Sequence, residues 1–354
     1  ITTDNLATPS ITDGSKYFHT QLYTGNGSSG HAITNDANAG DFQPDFLWLA
    51  PRSNGDNHVM WDVARGTTSR IYSNKADPAD VDGTAQLTFE ADGFDLDTTD
   101  PNYNGSGRTY VAWQWKTQGA AGSSNTDGSI NTTTTSVNQT AGFSISTYTG
   151  TGANATVGHG LGIAPSLVII KSRNDTHDWY VRTPALSGTE FLVLNTTAAK
   201  GTASPEVWNS TVPTSSVVNI GTSIGVNRNT YNYVMYCFAE IPGYSSVGSY
   251  EGNGSADGSF VFTGFRSSFI MCKSIDSTSD WFIYDSKRLG YNVDNNSLFA
   301  NTNGSELTAD NIDILSNGFK MRIAGDPNVA ETYIYMAFAE NPFGGDGVAP
   351  ATAR

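Results

Sequence analysis

Three passages of this chain repeat one another, and that repetition limits what it can fold into more than any other feature. The openings read Tyr23-Thr24-Gly25-Asn26-Gly27, Tyr148-Thr149-Gly150-Thr151-Gly152 and Tyr250-Glu251-Gly252-Asn253-Gly254, spaced 125 and 102 residues apart. Each leads to an apolar run: Phe46-Leu47-Trp48-Leu49, Leu167-Val168-Ile169-Ile170 and Phe269-Ile270-Met271-Cys272. A tryptophan segment follows in each, centred on Trp61, Trp179 and Trp281. The units close on Tyr110-Val111-Ala112-Trp113-Gln114-Trp115, Tyr233-Val234-Met235-Tyr236-Cys237-Phe238 and Tyr333-Ile334-Tyr335-Met336-Ala337-Phe338. A period near a hundred residues exceeds the roughly 20 to 45 of solenoid repeats and suits a small domain.

Within each unit the runs are short, β-branched and aromatic, separated by Gly, Asn, Asp and Ser, and no stretch keeps a helical apolar period over three turns. Both faces of the closing runs are apolar, with Tyr333, Tyr335 and Ala337 on one and Ile334, Met336 and Phe338 on the other, so these strands should be central and covered twice. Asp92-Gly93 and Asn317-Gly318 supply hairpin turns. The expected fold is all-β, with three tandem antiparallel β-sandwich domains of jelly-roll or lectin-like kind. Their expected bounds are a connector over 1–16, a first sandwich over 17–117 and a Gly/Ser/Thr/Asn linker over 118–140. A second sandwich over 141–242, a third over 243–343 and a tail over 344–354 complete the chain.

Composition narrows the partners. Nineteen Lys and Arg against 34 Asp and Glu leave a net charge of −15, which argues against nucleic-acid backbones and anionic lipid surfaces. The longest apolar runs, such as Tyr233 to Ala239, fall far short of the roughly twenty residues that cross a bilayer, so no membrane insertion is expected. The start at Ile1, without an initiator Met or a signal peptide, leads us to expect an upstream part. Cys237 and Cys272 read as small core fillers, not as a disulfide.

Catalytic and metal-binding patterns are weak. Glu240 and Glu340 occupy matching positions but in different units, which speaks against a paired acid and base. Asp77, Asp80 and Asp82, and Asp95, Asp97 and Asp100, lack the EF-hand spacing and read as turn residues. His19, His31, His58, His159 and His177 show no zinc spacing and read as loop residues. No cofactor, no metal and no enzymatic activity is expected. The tryptophans Trp61, Trp179 and Trp281, with Asp62, Asp178 and Asp280 beside them, form the candidate ligand set, because an aromatic platform with nearby acids binds sugar faces. A core tryptophan pinning each sandwich is the competing reading. The neighbouring Arg65, Arg182, Lys287 and Arg288 would raise the local field around a shallow groove.

The openings quoted above, the run Gly248-Ser249-Tyr250-Glu251-Gly252-Asn253-Gly254-Ser255-Ala256-Asp257-Gly258, and the closings Cys237-Phe238-Ala239-Glu240 and Ala337-Phe338-Ala339-Glu340-Asn341-Pro342-Phe343 carry a resemblance. They resemble a repeated β domain of virion and tail proteins of marine and other aquatic bacteriophages, over nearly the whole chain. In such proteins a SPRY-like or concanavalin-like domain often precedes these units, and Thr8 to Phe18 looks like the segment leaving it. The resemblance implies a location on the virion surface and a tail-fibre or tail-tip role in host recognition. The implied partners are a host-cell glycan or receptor and other virion proteins, with a homo-oligomer, such as a trimer, expected. Capsid decoration, with three units imitating a threefold arrangement in one chain, is the alternative. A polysaccharide-degrading tail enzyme ranks below both.

Overall fold

Because successive strand side chains point to opposite faces, a closing run that is apolar at every position needs cover on both sides. The computed structural model, which describes residues 8–36, 41–201, 205–288, 292, 295–309 and 311–342, supplies that cover in three equivalent ways. Each closing strand, Thr109–Trp115, Asn232–Phe238 or Thr332–Pro342, lies inside a six-stranded antiparallel sheet. One neighbour is the opening strand, Phe18–Thr24, Phe143–Thr149 or Ser245–Glu251. The other is Phe46–Pro51, Leu167–Ser172 or Phe265–Ser274. Register sets Tyr23 against Tyr110, Tyr148 against Tyr233 and Tyr250 against Tyr333, with stacked rings 5.0, 5.2 and 5.0 Å apart. A small sheet covers one face of each large one. It is built on His31–Thr34, Leu87–Glu90 and Gly93–Leu96 in the first unit, and on Ala155–Gly158 and Val217–Ile220 in the second. In the third it is built on Phe260–Phe262, Ile312–Leu315 and Gly318–Met321. The chain is therefore all-β and sandwich-like; among the described residues its α-helices are single turns, Pro101–Asn104, Pro205–Trp208 and Ile224–Asn227.

The repeated opening motif is explained by a buried asparagine. Asn104, Asn227 and Asn328 are fully buried, and each side chain accepts from the backbone N–H of the residue before the second glycine, Asn26, Thr151 and Asn253, at 3.1, 2.8 and 3.3 Å. Their amides donate to carbonyls on both sides of the loop, such as Ala153 and Gly221 for Asn227. In the third unit a Cβ on Gly252 would run into the Val329 carbonyl, and Gly254 has a φ of 63°, so neither position accepts a larger residue without strain.

The other face of each large sheet departs from expectation. Tandem sandwiches would leave it to solvent or to a second sheet of the same unit, whereas here the three large sheets close on one another. Private cores hold Tyr110 and Ala112, Tyr233, Met235 and Cys237, or Tyr333, Tyr335 and Ala337. The alternate residues, Val111, Trp113 and Trp115, Val234, Tyr236 and Phe238, and Ile334, Met336 and Phe338, share a fourth core. At its centre the equivalent rings of Trp115, Phe238 and Phe338 form a triangle with sides of 6.2, 5.6 and 5.7 Å. The seams repeat in cyclic order: Ala79 N–H donates to Arg173 O at 3.0 Å, Lys200 to Ile275 O at 3.0 Å and Glu306 to Arg52 O at 2.9 Å. A pseudo-threefold axis thus runs through one chain.

Two expected boundaries change. The segment 118–140, expected as a linker, contains the strand Thr134–Asn138, which pairs with Phe143–Thr149 as the edge of the second large sheet. Its side chains pair hydroxyl to hydroxyl, Thr134 with Thr147 at 2.8 Å and Thr135 with Ser146 at 3.0 Å, so a polar β-branched run stabilises a strand without apolar alternation. Ile130 from the same segment is buried. The connector 1–16 places Ile11 in the shared core, after which Asp13 caps a single 3-10 turn, Gly14–Lys16. The expected tail, 344–354, lies outside the described residues.

Candidate functional site

Register decides which tryptophans are equivalent. Phe46 stands opposite Asp62 and Phe269 opposite Asp285, while Val168 stands opposite Arg182. The counterpart of Trp179 and Trp281 is therefore His58, and Trp61 lies three residues further on. Asparagines mark the same position: the backbone N–H groups of His58, Trp179 and Trp281 donate to Asn74, Asn195 and Asn301 at 3.2, 2.9 and 2.8 Å. Those asparagines in turn donate to Asn57, Asp178 and Asp280.

The expected sugar platform does not form. Trp61, Trp179 and Trp281 are at most 1% exposed and offer no ring face to a ligand. Trp61 packs in the first private core against Tyr103, with ring centroids 5.1 Å apart. The other two indoles fasten seams: Trp179 Nε1 donates to Tyr72 O and Lys75 O at 3.1 and 3.0 Å, and Trp281 Nε1 to Val193 O at 2.9 Å. Asp178 and Asp280 hold their asparagines, and Asp62 is buried in an ion pair. Three of the four basic residues expected to raise the field are committed to carboxylates as well. Arg65 Nε donates to Asp62 at 2.6 Å, Arg288 Nε to Asp285 at 2.5 Å and Lys287 Nζ to Asp36 at 3.0 Å.

Both buried pairs are completed from a neighbouring unit, by the Tyr236 hydroxyl on Asp62 at 2.6 Å and by Trp113 Nε1 on Asp285 at 3.1 Å. The Arg288 guanidinium holds the Asp285 carboxyl below the usual range against the opposing effect of burial. Lys171 and Lys273 are fully buried, and burial lowers both amines to about 8; their Nζ atoms donate across seams to Ala76 O at 3.1 Å and Thr197 O at 3.2 Å.

His58 has neither ring nitrogen in a hydrogen bond, and burial, aided by the Arg288 charge, lowers its pKa to about 3. Between pH 6.5 and about 3 the unfolded chain holds a proton on His58 that the folded chain refuses, so stability falls as pH falls through that window. The slope approaches about 1.4 kcal/mol per pH unit. His58→Phe should flatten the urea midpoint between pH 6.5 and 5, above the range where carboxylates titrate; an unchanged slope would assign it elsewhere.

The remaining candidates are structural. His19 and His31 lie in strands, not in loops as expected, whereas His58 and His159 sit just outside strand ends; His19, His58 and His159 are buried. Asp80 and Asp82 pair with Arg70, Asp77 with Lys75, and Asp100 caps the turn Pro101–Asn104. Glu240 is exposed and accepts from Val247 N–H at 3.1 Å, while the side chain of Glu340 lies outside the described residues. Cys237 and Cys272 are free in separate private cores, the second pushed up to about 12 by burial. Among the described residues no group of three or more His, Cys, Asp or Glu is arranged for a metal.

Arg182 is different. It ends the strand Tyr180–Arg182 and, with Thr183, lines a cavity of about 250 Å³ in the second unit. Its rim carries Pro184 and Val212, both exposed, and Pro165 lies buried below. Arg182 is 3% exposed, and its one hydrogen bond among the described residues runs from Nη1 to Ser187 O at 3.0 Å. Burial lowers its pKa, with no carboxylate to oppose it. The Thr183 hydroxyl is buried without a partner.

Fold and cavity together define an all-β protein of three sheet pairs locked on one core, with a small polar-floored hollow in the second. The chain belongs to a family described as a domain of unknown function (DUF7483), whose model matches residues 13–342. That single match runs from the cap of the opening turn to the end of the last closing strand, across all three units. No curated protein matches the chain significantly.

Proposed function

We propose that this chain is a non-enzymatic surface protein of a bacteriophage particle, placed at the tail and contacting the host. The observation that carries the reading is the triangle of Trp115, Phe238 and Phe338. Repetition here is used to build one block, which suits a part that holds its surface in fixed orientation on a larger assembly. Independent binding beads on flexible links would need no common core. The acidic surface, at a net charge of −15, fits a body that must not adhere to nucleic acid during assembly. Decoration of the head is the second reading, favoured by the pseudo-threefold axis, because such an axis can seat on a threefold position of a lattice.

Immunogold labelling of purified particles, with antibody raised against this chain, separates the two. Label at the tail tip supports host contact, and label scattered over the head supports decoration. Particles that carry no label would remove both.

A further inference from the structure

Four arginines among the described residues are buried: Arg65, Arg70, Arg182 and Arg288. Three have carboxylate partners inside the chain, Asp62, Asp80 with Asp82, and Asp285. Arg182 has none among the described residues, although it too is buried, at 3% exposure. A buried charge without a counter-charge is expensive, and folds normally pair it. Thr183, the next residue along, also borders the cavity, but its unpartnered hydroxyl is buried out of reach of it, at the position that Asp62 and Asp285 hold in the other units. An uncompensated guanidinium beneath walls of proline and valine describes a site that lacks its ligand's anion.

We propose that this cavity binds a carboxylate borne on a small, partly apolar ligand. The guanidinium fork matches a carboxylate in a bidentate pair. Among the described residues no second cation lines the cavity, which disfavours a doubly charged phosphate. A volume of about 250 Å³ lies below the roughly 300–1,000 Å³ of sites for drug-sized ligands, so one ring or less fits. Free carboxylates and the uronate of an acidic glycan share this chemistry. The inference does not depend on where a particle carries the chain.

The test is calorimetric titration of the whole chain with galacturonate, galactose and acetate at neutral pH and two salt concentrations. Saturable, salt-weakened binding of galacturonate with none of galactose is expected. Acetate binding as tightly as galacturonate would assign the site to small free carboxylates; much weaker acetate binding would assign it to an acidic sugar. Equal binding of galactose and galacturonate, or no binding of either carboxylate, overturns the proposal. Arg182→Met should weaken galacturonate at least about tenfold while raising the unliganded Tm, because it removes a buried charge. A merely structural Arg182, there to hold the Ser187 carbonyl, would give the opposite pair of results, a lower Tm and unchanged affinity. Should Arg182→Met not fold, Arg182→Lys keeps the charge but loses the fork and should weaken galacturonate several-fold; an unchanged affinity would place the binding elsewhere and sink the assignment.

Discussion

Trp115→Ala is expected to unfold all three units together. The ring is 1% exposed and lies within 5.0 to 6.2 Å of Phe18 and Phe46 from the first unit, Phe238 from the second, and Phe269 and Phe338 from the third. Truncating a buried tryptophan costs about 3–5 kcal/mol, from lost burial and from the cavity left behind. A typical domain holds only about 5–15 kcal/mol in total, so this is a large fraction of the whole. Because the ring touches every unit, the loss should not stay in the first. Native-state hydrogen exchange is the measurement. The amides of Ile145 in the second unit and Met336 in the third should lose protection by the same free energy as that of Val111 in the first. Wild-type protection at Met336 beside lost protection at Val111 would show three folding units that merely touch.

The two-faced closing strands were legible in the sequence because strand alternation is a local property. Tyr333, Tyr335 and Ala337 separate from Ile334, Met336 and Phe338 by counting alone, and the shared and private cores divide them the same way. What covers the second face is not local. An apolar face reads the same whether a strand of its own unit or a neighbouring unit closes over it, so the common core had no signature within any one repeat. Identity matching misled at the tryptophans. Trp61 resembles Trp179 and Trp281 in composition, but pairing register places His58 there, and the asparagines Asn74, Asn195 and Asn301 carried the true correspondence. The strand Thr134–Asn138 was hidden because hydroxyl pairing leaves no hydrophobic pattern. Arg182, by contrast, was partly legible. Arg65 and Arg288 each follow an aspartate by three residues, whereas no acid precedes Arg182 at that distance, and Thr183 and Leu186 occupy the positions of that ion pair in the second unit.

That difference between units sets up the second large effect. Asp62→Thr should destabilise the chain by about 3–5 kcal/mol, because it strands the Arg65 guanidinium in the core without a counter-charge, among neutral acceptors such as the carbonyls of Ser69 and Met60. Adding Arg65→Leu should recover most of that loss, since threonine and leucine are what the second unit carries at the matching positions, Thr183 and Leu186. A buried ion pair exchanged whole for apolar or neutral groups is often close to neutral, whereas one broken in half is not. The Tyr236 hydroxyl, which donates to Asp62 at 2.6 Å, then lacks its acceptor, so a third change is needed. Tyr236→Met copies Met336, the residue at that place in the third unit's closing strand, and should return the remainder. Urea denaturation of the single, double and triple variants measures each step. Losses that simply add from Asp62→Thr to Arg65→Leu would mean the pair is uncoupled; recovery along the series would mean that one pseudo-threefold seam has two interchangeable chemical solutions, one ionic and one apolar.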